Sequence, residues 1–582
     1  MKRPGRGRRA VACALVVAAA SCGSSGSSVG SGGPPTLDVA VFGSAAKIRP
    51  TDAVTGATSA VLVAARNEFE SFQLAIRAVG APVQGVTVSW DHPLVGPEGF
   101  TIPAANVTIY AERYLDVKVP SDVEGAPGRW PDALVPAVDT LVGEPRNAFP
   151  IEIPDGESRV AWIDVLVPPD ATPGEYVGSV TVRAGGRSTT VPVRLIVLSF
   201  TLPSTTSLKS SFGFSDLCRA FDPVRCDGDS DFRATLRQRF VQAALDDRVT
   251  LATPFAIQLT RGRTYGVDEF RTYFLPFLKG EGPTRLPGAH LTTFRVNSHT
   301  DRNITGWQDE LEADGVVDLA YVWSCDEPQF SPVLGDPAGN WRICRAKLEA
   351  DGSVWNDAPK MVTAHIQGSQ DAGDTSLIDI ITLNIELLHG PPGSDFPGDQ
   401  RPLYDTFLAD RSRPKQLWLY SACGSHGCVP EKDAVRRGWA GGYQIDGPAS
   451  QTRAMPWIAF THRMQGLFYY DTVQLLATAW EDQYRYTGNG EGTFFYPGTP
   501  DRIGGQTTIP VESIRLKFLR DGFEDFEYLE FARAHGREAD AMQIARALFP
   551  APYDTSRTDE EVQTARLALA RLVAEITGGP RP

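Results

Sequence analysis

The sequence predicts a multidomain protein with an N-terminal β-sandwich, then a (β/α)8 TIM-like barrel, and helices at the C-terminus. Three observations predict it. The 582 residues are too many for one hydrophobic core. Residues 36–203 carry the pattern of short strands, whereas residues 204–512 alternate short apolar runs with helix-like stretches, as a parallel barrel does. Residues 513–582 have the pattern of helices, which we expect to pack on the barrel.

The chain begins with a segment typical of a bacterial lipoprotein signal. A basic stretch precedes the apolar run 11–20, which is too short for a conventional membrane span. Residues 1–21 are therefore the predicted signal, and Cys22 is the predicted lipidated residue of a lipobox-like sequence. Residues 22–35 form a flexible Ser/Gly/Pro tether. We expect an exported protein that is lipid-anchored at the outer membrane or cell surface or, if cleaved without lipid, periplasmic or secreted.

The sandwich is predicted from runs in which apolar residues alternate with polar ones. Residues 72–76, 86–90 and 177–182 form such runs, and 191–200 is a last long strand. Proline and glycine turn signals bound them, and short strands at this spacing favour a sandwich. This part of the sequence shows no catalytic constellation.

The barrel is predicted from helix-like stretches, such as residues 231–247, that alternate with short apolar runs. The strand candidates are residues 250–253, 320–324, 361–363, 378–383, 416–420 and 441–445. Several of these runs end in polar or aromatic residues. Because barrel active sites lie at the carboxyl ends of the strands, the residues that follow these runs are the candidates for chemistry.

The C-terminal part contains a predicted helix over residues 513–536. Two pairs of opposite charge, Lys517 with Asp521 and Arg520 with Glu524, have i,i+4 spacing. Arg515 and Arg520 could be pocket cations, but we expect them to form ion pairs on the helix surface. A Thr-x-x-Glu capping box at 558–561 predicts the start of a last helix.

Cysteine usage agrees with export to an oxidising compartment. The disulfides expected from proximity alone are Cys218–Cys226, Cys325–Cys344 and Cys423–Cys428. Six cysteines permit 15 connectivities, so other pairings stay open. The sequence has no Cys-x-x-Cys, His-x-His or HExxH motif, and we therefore expect no metal and no cofactor.

Charge and missing motifs narrow the function classes. A net charge of −14 argues against a nucleic-acid binder, which needs a basic surface. The sequence lacks a GxxxxGK loop and a GxSxG elbow, which disfavours phosphoryl transfer and serine hydrolysis. What remains is carboxylate chemistry in an aromatic-rich barrel, with glycoside hydrolysis as the first candidate.

The stretch LAYVWSCDEP at residues 319–328 is the strongest candidate site. A buried-strand pattern ends there in two adjacent carboxylates, Asp326 and Glu327, and two such groups can divide acid and base work. The alternative is an ordinary strand-to-helix turn with an Asp cap and Pro328 as a first helical residue.

Two neighbouring carboxylates suit one particular kind of acetal cleavage. On one turn they cannot readily flank a sugar as the separated pair of an ordinary retaining glycosidase does. They fit a substrate whose own 2-acetamido oxygen attacks the anomeric carbon. Glu327 would then be the acid/base, and Asp326 would orient the amide and stabilise the oxazolinium charge.

Several segments resemble glycoside hydrolase family 123. They are ARNEFESFQLAI (65–76), WPDALVP (130–136), VPPDATPGEYVG (167–178), YVWSCDEP (321–328), YSACGSHGC (420–428), GYQIDG (442–447), GTFFYPG (492–498) and SIRLKFLRDGFEDFEYL (513–529). The resemblance covers nearly the whole mature chain. It implies a sandwich followed by a (β/α)8 barrel, β-N-acetylgalactosaminidase activity, and catalytic roles for Asp326 and Glu327.

Five further residues are candidates for substrate binding, and four of them have a structural alternative. Tyr420 follows a strand and could bind the acetamido group, or it could be a wall of the barrel mouth. Asp446 could hold sugar hydroxyls or form an Asx turn. His426 could reach the substrate from a disulfide loop or be solvated. Tyr496 and Trp457 could stack on sugar rings, although Trp457 lies in helix-like sequence and core packing is the alternative.

The expected function is therefore an exported glycoside hydrolase that acts on an oligosaccharide or glycoconjugate. It would cleave β-linked N-acetylhexosamine, with N-acetylgalactosamine preferred, by a substrate-assisted retaining mechanism. Two alternatives stay open: a hydrolase that acts on a different glycan, and a non-catalytic surface lipoprotein that binds glycans.

Overall fold

The computed structural model describes most of the chain after its first 35 residues. The described ranges are 36–215, 217–252, 266–299, 306–329, 337–426 and 438–582. The predicted signal, the tether and Cys22 lie outside them. Within these ranges, no helix has the length and apolar character needed to cross a membrane.

The N-terminal part is built from strands. In chain order they are β1 (Thr36–Gly43), β2 (Ala60–Arg66), β3 (Glu68–Val79), β4 (Val83–Trp90), β5 (Leu94–Val95), β6 (Thr101–Ile102), β7 (Val107–Val117), β8 (Gly128–Pro136), β9 (Ile151–Ile153), β10 (Ser158–Val167), β11 (Gly174–Ala184) and β12 (Arg187–Thr201).

These strands form two sheets that share one hydrophobic core. The first contains the order β1-β3-β10-β7-β8, and the second has the order β2-β12-β11-β4-β9 with β5 and β6 beside it. Leu74 and Ile163 of the first sheet meet Val180 and Leu195 of the second in this core. The alternating runs of the sequence supply it because every second side chain of a strand points to the same face.

The rest of the chain mixes strands with helices. The strands are β13 (Lys209–Phe212), β14 (Phe294–Val296), β15 (Ala320–Asp326), β16 (Lys360–Thr363), β17 (Ile380–Asn384), β18 (His389–Gly390), β19 (Gly398–Asp399), β20 (Gln416–Tyr420), β21 (Gly466–Tyr469), β22 (Tyr484–Arg485), β23 (Gly488–Asn489), β24 (Phe495–Gly498) and β25 (Ile509–Ser513). The helices are α1 (Pro223–Gly228), α2 (Ser230–Asp246), α3 (Val267–Tyr273), α4 (Leu275–Leu278), α5 (Trp307–Ala313), α6 (Pro337–Val354), α7 (Ile366–Asp371), α8 (Ile385–Leu388), α9 (Asp405–Ala409), α10 (Cys423–His426), α11 (Ala449–Thr461), α12 (Pro500–Ile503), α13 (Ile514–Ala534), α14 (Glu538–Leu548) and α15 (Asp559–Thr577).

Seven of these strands form a parallel, nearly closed barrel sheet with the order β13-β21-β20-β17-β16-β15-β14. The short segment 250–252 bridges its two edges. On one side, the Phe212 N–H donates to the Thr250 carbonyl at 2.9 Å and the Ala252 N–H donates to the Phe212 carbonyl at 2.6 Å. On the other side, the Arg295 N–H donates to the Ala252 carbonyl at 2.7 Å.

Helix α13 joins the two parts of the chain. It packs against β3 and β8 of the first sheet and against α11, α14 and α15. Just before it, β25 pairs with β8, so β24 and β25 extend the first N-terminal sheet. Side chains at most positions of α13 are buried, which makes this helix part of the interior.

The prediction that Arg515 and Arg520 form surface ion pairs is wrong. Both side chains are 0% exposed. Arg515 donates to Asp132 of β8 at 2.8 and 2.7 Å, and Arg520 donates to Asp164 of β10 at 2.9 Å. The i,i+4 pair of Arg520 with Glu524 is present at 3.9 Å, but it is buried. The closer partners come from distant strands, and the local pattern on the helix did not reveal them.

The predicted strand at residues 441–445 is also wrong, because this segment is a buried loop that precedes α11. Gly441 has a φ of 73°, which a strand does not use. The Lys47 ammonium donates to the carbonyls of Gln444, Ile445 and Gly447 at 3.1, 3.1 and 2.6 Å. The run is apolar because the loop is buried, and β21 is the last strand of the barrel sheet instead.

Other predictions for this part are confirmed. The stretch 231–247 forms α2, and the capping box at 558–561 opens α15. Two predicted disulfides, Cys218–Cys226 and Cys325–Cys344, are present, each with a Cα–Cα distance of 5.7 Å. Cys423 is disulfide-bonded as well, but its predicted partner, Cys428, lies outside the described residues.

Candidate active site

The carboxyl ends of the barrel strands meet at the end of β15. The strand register places Asp326 beside Thr363 of β16 and Asn384 of β17 beside Tyr420 of β20. Because these strands are parallel, their carboxyl ends share one edge of the sheet. A cluster of large aromatic and apolar side chains fills the interior below this edge.

Asp326 and Glu327 occupy the turn that leaves β15. The Asp326 side chain is exposed and the Glu327 side chain is half-buried. Glu327 has a φ of 42°, which lies in the left-handed region that residues with a side chain rarely adopt. It also precedes Pro328, which restricts its backbone further. Backbone strain of this kind is concentrated at functional sites.

Thr363 holds both acidic residues with one hydroxyl group. Its oxygen accepts a hydrogen bond from the Glu327 N–H at 2.8 Å and donates to Oδ1 of Asp326 at 2.9 Å. Thr363 is 1% exposed and lies on β16, so its position is fixed by the sheet. A hydroxyl can donate and accept at once, and this one therefore fixes the geometry of the turn.

Tyr420 contacts the second carboxylate. Its hydroxyl donates a hydrogen bond to Oε1 of Glu327, and its side chain is buried at the end of β20. Burial and the nearby Glu327 charge raise the pKa of Tyr420 well above its ordinary value. The phenol therefore stays protonated at neutral pH and remains a hydrogen-bond donor.

The acidic pair differs from the buried carboxylates along α13 in having no salt-bridge partner among the described residues. Desolvation raises the pKa of Asp326 and the Glu327 charge raises it further, whereas the hydrogen bond from Thr363 and the Lys347 charge lower it. Within the described residues, neither carboxylate forms an ion pair with a Lys, Arg or His side chain. The two acids share one turn without a salt-bridge partner, and the Lys347 charge acts on Asp326 only as the smallest of the effects on its pKa.

An aromatic surface lies next to the pair. Trp323 is half-buried, and its Nε1–H donates to the Cys325 carbonyl at 3.1 Å. Its ring packs edge-on against Phe468, with centroids 5.0 Å apart, and the Arg295 guanidinium lies 5.4 Å from the ring centroid. The disulfide from Cys325 links the end of β15 to α6, which restrains the backbone next to the acidic pair.

Three other sequence-predicted residues lie in the interior, where none contacts the Asp326–Glu327 turn. Asp446 is 1% exposed, and its carboxylate accepts hydrogen bonds from the Ser121 N–H at 2.8 Å and the Ser121 hydroxyl at 2.5 Å. The Trp457 Nε1–H donates to a buried carboxylate of α13 at 2.9 Å. The Tyr496 hydroxyl donates to a carboxylate of β8 at 2.5 Å. All three polar groups are satisfied by the protein itself.

The remaining predicted residue is His426, and its side chain lies outside the described part of the structure. The residue closes the short helix α10, which follows β20. Of the predicted site residues, the structure thus brings together Asp326, Glu327 and Tyr420.

Sequence reasoning missed Thr363 and did not include Trp323 among the candidate site residues. Thr363 ends a predicted strand, and a polar residue at that position was the available signal. Its importance depends on the register that sets it beside Asp326, which the sequence does not reveal. Trp323 lies two residues before Cys325 on the same strand. The sequence predicts that this strand is buried, and only the folded structure shows that the Trp323 side chain is partly exposed.

Comparisons with known proteins agree with this fold. No family model and no curated protein matches the chain. Among solved structures, a family 123 glycoside hydrolase from Clostridium perfringens, described for glycolipid glycan hydrolysis, is similar over 93% of this chain and 98% of its own, with a TM-score of 0.65 and 14% identity. A CARDB domain from Pyrococcus furiosus (12% identity, TM-score 0.13) matches over 28% of this chain and 94% of its own. The CooA pilin subunit of enterotoxigenic Escherichia coli (12% identity, TM-score 0.15) matches over 28% and 99%. The first likeness extends along nearly both chains and confirms the resemblance to family 123 at the level of the fold.

Proposed function

We propose that this protein is a glycoside hydrolase that cleaves β-linked N-acetylhexosamine, with N-acetylgalactosamine preferred. The observation that carries the proposal is the Asp326–Glu327 turn at the carboxyl end of β15. Its two acids have separate hydrogen-bond partners, Thr363 for Asp326 and Tyr420 for Glu327. Two carboxylates in different environments can take different roles in one reaction.

In the first chemical step, Glu327 donates its proton to the glycosidic oxygen as the bond to the anomeric carbon breaks. The carbonyl oxygen of the substrate's 2-acetamido group attacks the anomeric carbon and forms an oxazolinium ion. Asp326 accepts a hydrogen bond from the amide N–H, which orients the acetamide and stabilises the positive charge of the intermediate.

The second step reverses these roles. Glu327, now a carboxylate, removes a proton from water as the water oxygen attacks the anomeric carbon and the oxazolinium ring opens. Two displacements give a product that retains the β configuration. The mechanism suits adjacent acids, because an ordinary retaining pair has its two carboxyl groups about 5–5.5 Å apart on either side of the sugar.

The neighbouring residues have supporting roles in this proposal. Tyr420 holds Glu327 in place between its acid and base steps, and Thr363 keeps the Asp326 carboxylate turned toward the mouth. Trp323 offers a ring surface for the apolar face of a sugar. Asp446, Tyr496 and Trp457 are left out of the site because their polar groups bind other parts of the protein.

The architecture proposed for this function is a β-sandwich followed by a (β/α)8 barrel. The bridging hydrogen bonds of residues 250–252 support their assignment as the eighth strand of the ring, and the shared core of the two N-terminal sheets supports a sandwich. Export and a lipid anchor at Cys22 are part of the proposal on the basis of the sequence. A surface enzyme of this kind would meet glycans outside the cell.

A panel of aryl β-glycosides tests the function. The expected result is hydrolysis of the N-acetylgalactosaminide, weaker hydrolysis of the N-acetylglucosaminide and none of the plain galactoside, with inhibition by an N-acetylgalactosamine thiazoline. Hydrolysis of the galactoside at a comparable rate would contradict substrate assistance and favour a different glycan. No hydrolysis of these substrates or of longer acetamido glycans would favour a non-catalytic glycan-binding protein.

A further inference from the structure

A second group of chemically active side chains lies away from the acidic pair. His389 and Asp399 are register partners in the small β18–β19 hairpin, and His462 follows the C-terminus of α11. Nδ1 of His389 lies 3.3 Å from Nε2 of His462, and Oδ1 of Asp399 lies 3.9 Å from the same Nε2. One atom from each residue thus lies within 4.8 Å of the others.

The distance between the two imidazoles fits a tetrahedral metal site. Zinc–nitrogen bonds are about 2.0–2.1 Å long, and two such ligands of a tetrahedron lie roughly 3.3 Å apart. The Asp399 side chain is 45% exposed, and its Oδ1 accepts the Arg401 N–H at 2.9 Å. A small rotation of this carboxylate would bring one of its oxygens to the ion. Two histidines and one carboxylate form a known zinc ligand set that leaves a fourth position open to water.

The orientation of His462 supports a metal ligand. Its Nδ1 lies 3.1 Å from the carbonyl oxygen of Ile458, which can only accept, so Nδ1 carries the proton and donates. The unprotonated Nε2 then points its lone pair toward His389 and Asp399. Metal-binding histidines have this arrangement, in which a backbone carbonyl fixes the tautomer and the ring orientation.

A plain hydrogen bond is the alternative explanation of the histidine contact. His389 Nδ1–H could donate to His462 Nε2 at 3.3 Å without any metal. The Asp399 carboxylate has a partner of its own, because its Oδ1 accepts a hydrogen bond from the Arg401 N–H at 2.9 Å. Neither hydrogen bond explains why one ligand atom from each of the three residues lies within 4.8 Å of the others, and a shared cation does.

We propose that His389, Asp399 and His462 bind a divalent zinc ion. The ligand atoms are Nδ1 of His389, Nε2 of His462 and a carboxylate oxygen of Asp399. The ion would connect the β18–β19 hairpin to the end of α11. The two histidines on these segments are 73 residues apart in the sequence. Its effect is on stability, because the cluster shares no contact with the Asp326–Glu327 turn.

The test uses the full chain, without a polyhistidine tag, after removal of metals with a chelator and dialysis. Zn²⁺ binding is measured by competition with a chromogenic chelator and by the change in Tm. The expected result is one Zn²⁺ per chain in the wild type and a higher Tm with Zn²⁺, since a ligand that binds only the folded state stabilises it. His389→Gln/His462→Gln should weaken binding at least ~100-fold, in line with losses of ~10–100-fold even for outer-shell changes.

Two further variants keep the test decisive. Asp399→Asn changes an exposed side chain, leaves the fold intact and should also weaken Zn²⁺ binding. His92→Gln alters an exposed histidine of the N-terminal part and should bind Zn²⁺ as the wild type does. Equal Zn²⁺ affinity in the wild type, Asp399→Asn and the double variant would overturn the proposal and leave the imidazole hydrogen bond as the explanation.

Discussion

Two regions of this molecule crowd carboxylates together, and they differ in what surrounds them. Along α13, Arg520 pairs with Asp164 at 2.9 Å and Arg453 pairs with Asp525 at 2.6 Å. Burial alone would raise the pKa of Asp164, yet the Arg520 and Lys517 charges hold it well below its usual range. The turn after β15 has two adjacent acids that form no ion pair among the described residues, and the Lys347 charge lowers the pKa of Asp326 less than burial and Glu327 raise it.

This difference indicates a structural role for the charges along α13 and a chemical role for the acids of the β15 turn. Buried charges that are paired and hydrogen-bonded form a rigid junction between the N-terminal sheets and the barrel, and removing one partner is costly. The acids of the β15 turn are held by hydroxyl groups instead, which fix their positions without neutralising them. Carboxylates that form no salt bridge within the protein are available to interact with a substrate.

The largest expected effect is on activity at the β15 turn. Glu327→Gln keeps the shape of the side chain but removes the proposed acid/base, so kcat/KM should fall about 10²–10⁴-fold. Steady-state kinetics on an acetamido glycoside with a poor leaving group measures it, because such substrates depend most on the acid. The Tm should change little. Near wild-type kcat/KM would exclude Glu327 as the acid.

The next effect is on stability at the α13 junction. Arg520→Met leaves Asp164 buried without its main cation, which should cost about 3–5 kcal/mol in the free energy of unfolding. Urea or thermal unfolding measures it. The matched control is Arg183→Ala, which breaks the exposed pair with Asp91 and should cost less than ~1 kcal/mol. Equal losses of unfolding free energy in the two variants would show that the buried ion pair stabilises the fold no more than the exposed pair does.

A smaller effect is expected at Thr363. Thr363→Val keeps the side-chain volume but removes the hydroxyl that binds both acidic residues. Leaving these hydrogen-bonding groups without a partner costs about 1–3 kcal/mol of free energy. We expect roughly a tenfold fall in kcat with the fold intact. Thr363→Ser restores the hydroxyl and should recover most of the activity, whereas equal rates in the Val variant and the wild type would remove Thr363 from the site.

The smallest effect is a gain of stability in Asp326→Asn. The pKa of Asp326 is raised above its ordinary value of 3.8, so the folded state holds this proton more tightly than the unfolded chain does. Wild-type stability should therefore fall relative to the variant as pH rises from 3.8 through the raised pKa, and the difference should vanish at lower pH. The gain at neutral pH should stay below ~1 kcal/mol because the side chain is exposed. Unfolding of both proteins between pH 3 and 8 checks the sign, and a less stable variant at neutral pH would contradict it.

The sequence predicts the order of the parts and the acidic pair, and the reasons are local. Alternating runs identify the N-terminal strands, and β15 ends in a dipeptide that stands out by itself. The charges of α13 were misread because Arg520 and its strand partner Asp164 are 356 residues apart. His389 and His462 are 73 residues apart and form no motif in the sequence, so their proximity depends on the fold. Thr363 matters only through strand register, which no single-sequence pattern encodes.

The most direct test of the central claim varies the acetamide of the substrate. In aryl β-N-acylgalactosaminides, replacing the acetyl hydrogens by one, two and three fluorines weakens the carbonyl oxygen as a nucleophile and leaves the sugar and the leaving group unchanged. If the two acids of the β15 turn act with the substrate's own amide, kcat/KM should fall steeply with each fluorine. A rate that is insensitive to fluorination would contradict the account and require a nucleophile from the protein.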